Sequence, residues 1–162
     1  MTDRPRFSEA ALAEYREILG RYPTRRAALM PTLWLAQREF GWLSEPAMGY
    51  VAELLELPLA WVTSVASFYT MYWKQPTARF KLQVCRNLAC SLRGAEGILG
   101  AIEDRLGIGD GQQTADGRFQ LEEVECLGSC GTAPVMQINN EQYHEHLDVP
   151  KVIALLERLA TE

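Results

Sequence analysis

The sequence predicts an α+β protein: a helical first half followed by a small domain that mixes strands and helices. Three observations carry that reading. Apolar residues recur at helical spacing from Leu12 to Tyr72. The period then shortens to two, with Phe80, Leu82 and Val84 alternating with Lys81 and Gln83. All four cysteines fall in this second half, as two tight pairs that each follow a predicted strand. The change near residue 76 divides the chain into an expected helical domain over 1–76 and an α/β domain over 77–162, and 162 residues accommodate two small domains.

In chain order, Ser8 caps a first helix that carries Leu12, Tyr15 and Leu19. Leu29, Leu33, Ala36 and Phe40 stripe a second, stopped by Gly41; Pro31 within it predicts a late start or a kink. Ser44 and Glu45-Pro46 read as the cap and first turn of a third, with Val51, Leu54 and Leu55. Pro58 opens a fourth, with Val62, Val65, Phe68, Tyr69 and Tyr72 on or near one face. Residues 74–78, KQPTA, form a linker. Residues 80–84 alternate as a strand running into Cys85, and residues 93–106 read as a helix starting just past Cys90, with Ile98, Leu99, Ile102 and Leu106 inward. Residues 107–117 are a loop, and 118–125 a strand ending at Cys126. Residues 134–138 form a short strand, and Asn139-Asn140 turns the chain into Gln142-Tyr143. Residues 149–160 close the chain as a helix with Val152, Ile153, Leu155, Leu156 and Leu159. The order strand, helix, three strands, helix is compatible with a small α/β sandwich of thioredoxin type.

Composition narrows the function. Apolar residues make up 48%, enough for a core, and a net charge of −5 with no basic stripe argues against a nucleic-acid partner. No apolar stretch approaches the roughly 18–20 residues of a membrane span. The N-terminus, MTDRPRFSEAALAEY, lacks the apolar core of a secretion signal and the acid-poor character of a transit peptide. A cytosolic protein is expected, where an even cysteine count points to metal or redox chemistry rather than structural disulfides.

The cysteines read C-x4-C (Cys85, Cys90), thirty-five residues, then C-x3-C (Cys126, Cys130). Strands that end at one edge of a sheet bring their following loops together, so the two pairs can converge. A [2Fe–2S] cluster needs four thiolates, two for each iron; structural zinc also takes four but favours closer knuckles. Spacing leaves iron–sulfur, zinc, disulfide pairing and free thiols open, and the lack of C-x-x-C disfavours a dithiol enzyme. Gly128, Ser129 and Gly131 around Cys130, with Asn87 and Ser91 by the first pair, offer small residues and donors near sulfur. If Glu122, Glu123 and Glu125 face a cluster, its potential falls at or below the ferredoxin region of about −400 mV; the alternative is a solvent-facing row.

Other residues have plainer readings. His144 and His146 are expected to be exposed. Trp34, Trp42, Trp61 and Trp73 are expected to pack, with one or two at an interface, and Tyr69 and Tyr72 to join the core. The GIGDGQ segment follows a predicted helix, so it is not a dinucleotide fingerprint. Arg86 and Arg93 are candidates to pair with a partner's carboxylates or to be solvated.

The runs ASFYTMYWKQP, FKLQVCRNLACSLRGAE and ADGRFQLEEVECLGSCGTAPVMQINNEQYHEHL resemble the small [2Fe–2S] subunit of respiratory NADH:quinone oxidoreductase (complex I), and YPTRRAALMPTLWLAQREFGWLS resembles it too. The resemblance spans about residues 20–160. It implies an N-terminal helical bundle and a thioredoxin-like domain holding one [2Fe–2S] cluster on Cys85, Cys90, Cys126 and Cys130. It implies a flavoprotein partner that carries FMN and the NADH site, with one electron exchanged between that FMN and the cluster, and a neighbouring iron–sulfur protein of the same complex. It implies a peripheral place on the cytoplasmic face of the bacterial inner membrane, and no NADH oxidation by this chain alone. Small subunits of NAD(P)-linked formate dehydrogenases and hydrogenases share the cysteines. A zinc-stapled interaction module and a free-standing ferredoxin are the readings from other classes.

Overall fold

The computed structural model describes residues 5–162. Residues 1–4, the start of both the segment read for a targeting signal and the expected 1–76 domain, lie outside the described residues. The chain forms two compact units that divide between Pro76 and Thr77.

The first unit is four helices: α1 (Glu9–Arg21), α2 (Leu29–Phe40), α3 (Glu45–Leu55) and α4 (Leu59–Phe68). The Ser8 hydroxyl accepts the Ala11 N–H at 3.2 Å, and Ser44 accepts that of Ala47 at 3.2 Å. Each side chain satisfies a donor that the first turn leaves open. Pro31 does not kink α2, because it stands in the first turn, where N–H groups have no helical partner to lose. Gly41 ends α2 at φ +81°, a backbone conformation that favours glycine. Leu33, Leu43, Val51, Leu55 and Val62 are fully enclosed at the centre. Buried Gln37 holds the chain beyond α4, its amide donating to the Met71 carbonyl at 3.0 Å and accepting the Trp73 N–H at 2.6 Å.

The aromatic residues near α4 part company. Tyr72 is buried and donates to the Met30 carbonyl at 2.8 Å. Phe68, expected on the packed face, is 77% exposed, and Tyr69 is exposed as well. The helix stops at Phe68, so the helical phase does not carry on to Tyr69 and Tyr72. Trp34 packs edge-on to Tyr72, while Trp61 is exposed beneath the Arg26 guanidinium, 3.8 Å from the ring centre.

The second unit comprises β1 (Phe80–Cys85), α5 (Leu88–Leu92), α6 (Ala95–Leu106), β2 (Phe119–Val124), β3 (Met136–Ile138), β4 (Gln142–His144) and α7 (Val149–Thr161). The sheet order is β2-β1-β3-β4. β1 and β2 are parallel, from Phe80 opposite Phe119 to Cys85 opposite Val124, and their connection runs through α5 and α6. β3 is antiparallel to β1, and β4 to β3. Phe80, Leu82, Val84, Leu121, Met136 and Ile138 form a core with Ile98 and Ile102 of α6 and Val152, Leu156 and Leu159 of α7.

β1 is buried at every position, so its alternation does not sort core from solvent. Lys81 is 6% exposed with its ammonium 3.0 Å from the Glu122 carboxylate, and the Gln83 amide donates to Asn140 at 2.8 Å. Asn139 and Asn140 take φ of +54° and +60°, which asparagine tolerates better than most residues. The Asn139 side chain accepts the Lys81 N–H at 2.8 Å and donates to the Arg79 carbonyl at 2.9 Å, extending the pairing beyond the end of β3.

The helix expected over 93–106 forms as α6, and a short helix that was not expected, α5, precedes it. Gly94 at φ +98° separates α5 from α6, and Cys90 lies within α5 rather than ahead of a single helix. Among the described residues, no helix is long and apolar enough to cross a membrane.

Candidate metal centre

Cys85 is the last residue of β1. Its N–H donates to the Val135 carbonyl at 3.1 Å, and the Arg86 N–H donates to the Val124 carbonyl at 3.0 Å. Three segments are thereby tied at one edge of the sheet: the ends of β1 and β2, and the approach to β3. Asn87 starts α5 by accepting the Leu88 N–H at 2.9 Å, and the Ser91 hydroxyl donates to the Arg86 carbonyl at 2.8 Å. That turn folds Cys90 back beside Cys85, where both are buried with Ala95, Ala133 and Val135.

Cys126 stands two residues past β2, and Cys130 opens a 3₁₀ turn, Cys130–Thr132. Their sulfurs are 3.5 Å apart and exposed. Gly128, at φ +79°, turns the loop so that its N–H donates to the Cys126 Sγ at 3.3 Å. A side chain would strain that turn, and the glycine brings a backbone donor to sulfur as the sequence led one to expect.

All four thiols are free. Burial, then the hydrogen bond with Cys85, pushes the Cys90 thiol up, while the Val135 backbone pulls it down. The hydrogen bond with Cys126 and then that residue's charge push the Cys130 thiol up. Cys130 also acts on Cys90, and Cys85 on Cys130, so the interactions cross between the pairs. Among the described residues, no group of three or more His, Cys, Asp or Glu side chains is arranged to hold a metal ion; the sulfurs stand as two pairs. Two pairs of soft donors with a backbone N–H aimed at sulfur suit a [2Fe–2S] group, which takes two thiolates at each iron.

The charged neighbours of the cysteines are paired within the second unit. Glu122 pairs with Lys81, while Arg86 lies 3.2 Å from Glu125 and 3.9 Å from Glu123. Each of the three glutamates thus has a cation beside it. Arg93 Nε donates to the Ala133 carbonyl at 2.8 Å, a tie within the unit rather than a free charge. His144, expected to be exposed, is half-buried, and its Nε2 is enclosed with no hydrogen-bond partner. Burial and then Arg158 hold its pKa below the ordinary histidine value. His146 is exposed, with φ +49°. Gly107 caps the C-terminus of α6, so the GIGDGQ segment follows a helix.

Sequence reasoning missed two residues beside the second pair. Tyr143 Oη donates to the Leu127 carbonyl at 3.0 Å, and the Glu145 carboxylate accepts from Ser129 and Thr132. Those two hydroxyls hold the Glu145 carboxyl below the usual range. Their only sequence signal is their place just after the Asn139-Asn140 turn.

The fold and this pair of cysteine loops define a class: residues 15–160 match the thioredoxin-like [2Fe-2S] ferredoxin family, and the chain belongs to it. Three relatives are more particular, each a subunit of NADH-quinone oxidoreductase. The chain is 47% identical over 138 residues to one from Rhizobium meliloti, covering 85% of this chain and 82% of that one. It is 44% identical over 142 residues to NADH-quinone oxidoreductase subunit 2 of Thermus thermophilus, covering 86% and 78%. It is 41% identical over 159 residues to one from Rickettsia bellii, covering 96% and 95%. Among solved structures, a chain of the NAD+-reducing [NiFe]-hydrogenase in its air-oxidized state matches with a TM-score of 0.65 at 23% identity, over 99% of this chain. This chain spans only 24% of that hydrogenase chain, and the likeness is one of fold.

Proposed function

We propose that this chain is the [2Fe–2S] electron-transfer subunit of an NADH:quinone oxidoreductase. The observation that carries the reading is that the parallel strands β1 and β2 each lead into one cysteine pair, Cys85 with Cys90 and Cys126 with Cys130, in a chain 47% identical to an NADH-quinone oxidoreductase subunit. These four cysteines are the ligands, and a [2Fe–2S] cluster bound there supplies a one-electron carrier. The partner is the flavoprotein that holds FMN and binds NADH, with an iron–sulfur protein of the same complex as a second neighbour. The assembly lies on the cytoplasmic face of the inner membrane.

Each unit has its part. Residues 77–162 hold the cluster. Leu88 and Leu92, one helical turn apart on α5 and 71% and 79% exposed, flank Cys90 with an apolar surface suited to a protein partner. Residues 1–76 dock the chain, and the exposed Leu59, Trp61, Phe68 and Tyr69 are the kinds of residue that anchor interfaces.

The test has two arms. Anaerobically reconstituted protein is expected to be red-brown, with equal iron and labile sulfide and a low-temperature EPR signal after dithionite reduction. Pale, sulfide-free and EPR-silent material overturns the ligand assignment. Tagged chain expressed in its own host is expected to co-purify with an FMN-containing NADH dehydrogenase. Recovery of a hydrogenase or formate dehydrogenase instead assigns it to that enzyme.

A further inference from the structure

The 126–130 loop is the exposed half of the cysteine site, and the chain leaving β4 holds it. Tyr143 Oη donates to the Leu127 carbonyl at 3.0 Å. Ser129 Oγ donates to Glu145 Oε1, and Thr132 Oγ1 donates to the same oxygen at 2.7 Å. The two hydroxyls are 2.7 Å apart. The His146 N–H donates to the Thr132 carbonyl at 2.7 Å, and the Leu147 N–H to the Pro134 carbonyl at 3.1 Å.

Ser129 and Thr132 bracket Cys130, one residue before it and two after. A single carboxylate oxygen gathering both hydroxyls therefore fixes the turn on which the Cys130 sulfur rides. Hydroxyl-to-carboxylate bonds are charge-assisted and stronger than neutral ones. Within the turn the Thr132 N–H donates to the Ser129 carbonyl at 3.1 Å and the Thr132 hydroxyl lies 3.0 Å from the same carbonyl, so Glu145 adds a side-chain tie to a turn that His146 already holds through its backbone. Glu145 itself is exposed, so removing it opens no cavity.

Resting on the reading that the four cysteines hold a cluster, we propose that Glu145 is a positioning residue for the metal site. It holds Ser129 and Thr132 so that Cys130 stands ready beside Cys126, and Tyr143 supports the front of the same loop. A loop fixed before binding spends less of the binding free energy on ordering itself. Partners that orient metal ligands typically matter by about 10–100-fold in metal affinity.

The test uses the full chain, loaded with iron and sulfide, and follows cluster loss to a chelator by visible absorbance. Glu145→Ala is expected to lose the cluster about 10–100-fold faster than wild type, with an altered EPR line shape. Far-ultraviolet circular dichroism should stay unchanged, and apo-protein melting should fall only slightly because Glu145 is exposed. Glu145→Gln, whose amide oxygen still accepts a hydroxyl, is expected to recover most of the retention. Adding Ser129→Ala to Glu145→Ala should cost little more, because both act through one bond. Wild-type kinetics and EPR in Glu145→Ala overturn the proposal, as does equal acceleration by Glu157→Ala, an exposed acid on α7 paired with Arg105. Should Glu145→Ala fail to fold, Glu145→Gln and Ser129→Ala make the same comparison. Wild type that takes up no iron or sulfide sinks the ligand assignment and this inference together; loaded wild type with an indifferent Glu145→Ala sinks this inference alone.

Discussion

The Arg93 guanidinium donates to the Ala133 carbonyl at 2.8 Å, so one bond joins the segment carrying Cys90 to the segment leaving Cys130. Ala133 is buried, and loss of the arginine strands its carbonyl without that partner. Arg93→Ala is expected to cost about 1–3 kcal/mol in urea unfolding of the apo chain, the usual cost of leaving a buried acceptor without its partner. An unchanged midpoint would show that the bond contributes nothing.

Lys81 and Glu122 are an asymmetric pair. The lysine is buried, whereas the Glu122 side chain keeps about a third of its exposure at 31%. Glu122→Ala deprives a buried ammonium of this carboxylate and should destabilise by about 1–3 kcal/mol, less than a fully buried pair because water reaches the site. Lys81→Met leaves a carboxylate that water can solvate and should be milder. Chemical denaturation of both variants checks the order; the reverse order would refute the argument.

Cys126→Ser removes one of the four proposed ligands, and the hydroxyl is a poorer partner for iron than a thiolate. The variant should lose most of its visible absorbance and its reduced-state EPR signal. A wild-type spectrum would remove Cys126 from the ligand set.

Each unit has its own core, one around Leu33, Leu43 and Val62 and the other around Leu82, Ile102 and Leu156. Deleting residues 1–76 should therefore leave a chain that still takes up iron and sulfide. Its affinity for the flavoprotein should fall, as read by co-purification or calorimetry. Undiminished affinity would deny the helices a docking role.

His144 gives a pH signature. Its folded pKa lies below the ordinary 6.5, so between the two values the unfolded chain binds the proton and the folded chain does not. Stability from this group is complete above about 6.5 and falls as pH drops toward the folded value. Arg158 acts on the ring, and Glu145 and Lys151 line the same hollow. His144→Gln is expected to flatten the dependence of melting temperature on pH just below 6.5. An unchanged slope would mean that the imidazole does not titrate there.

Local signals were legible in the sequence. Ser8 and Ser44 announce their helices because capping is settled within three residues. The strand before each cysteine pair is legible for a similar reason, and parallel pairing of those strands brings their ends together. Less legible was what depends on partners distant in sequence. Lys81 and Gln83 look solvent-facing until Glu122 and Asn140 are placed beside them. The five residues of α5 are too few to display a helical period, so the short helix that carries Cys90 leaves no pattern. Glu145 leaves no periodic trace, since its partners Ser129 and Thr132 are met only through the fold.

The unequal burial of the two cysteine pairs bears on biogenesis. Val135, which fastens Cys85, and the hairpin that steadies Cys130 both emerge from the ribosome after the last cysteine. This end of the sheet therefore takes shape only after all four cysteines have been synthesised. Cys126 and Cys130 stand at the surface, where a thiol reagent is expected to reach them before the buried Cys85 and Cys90.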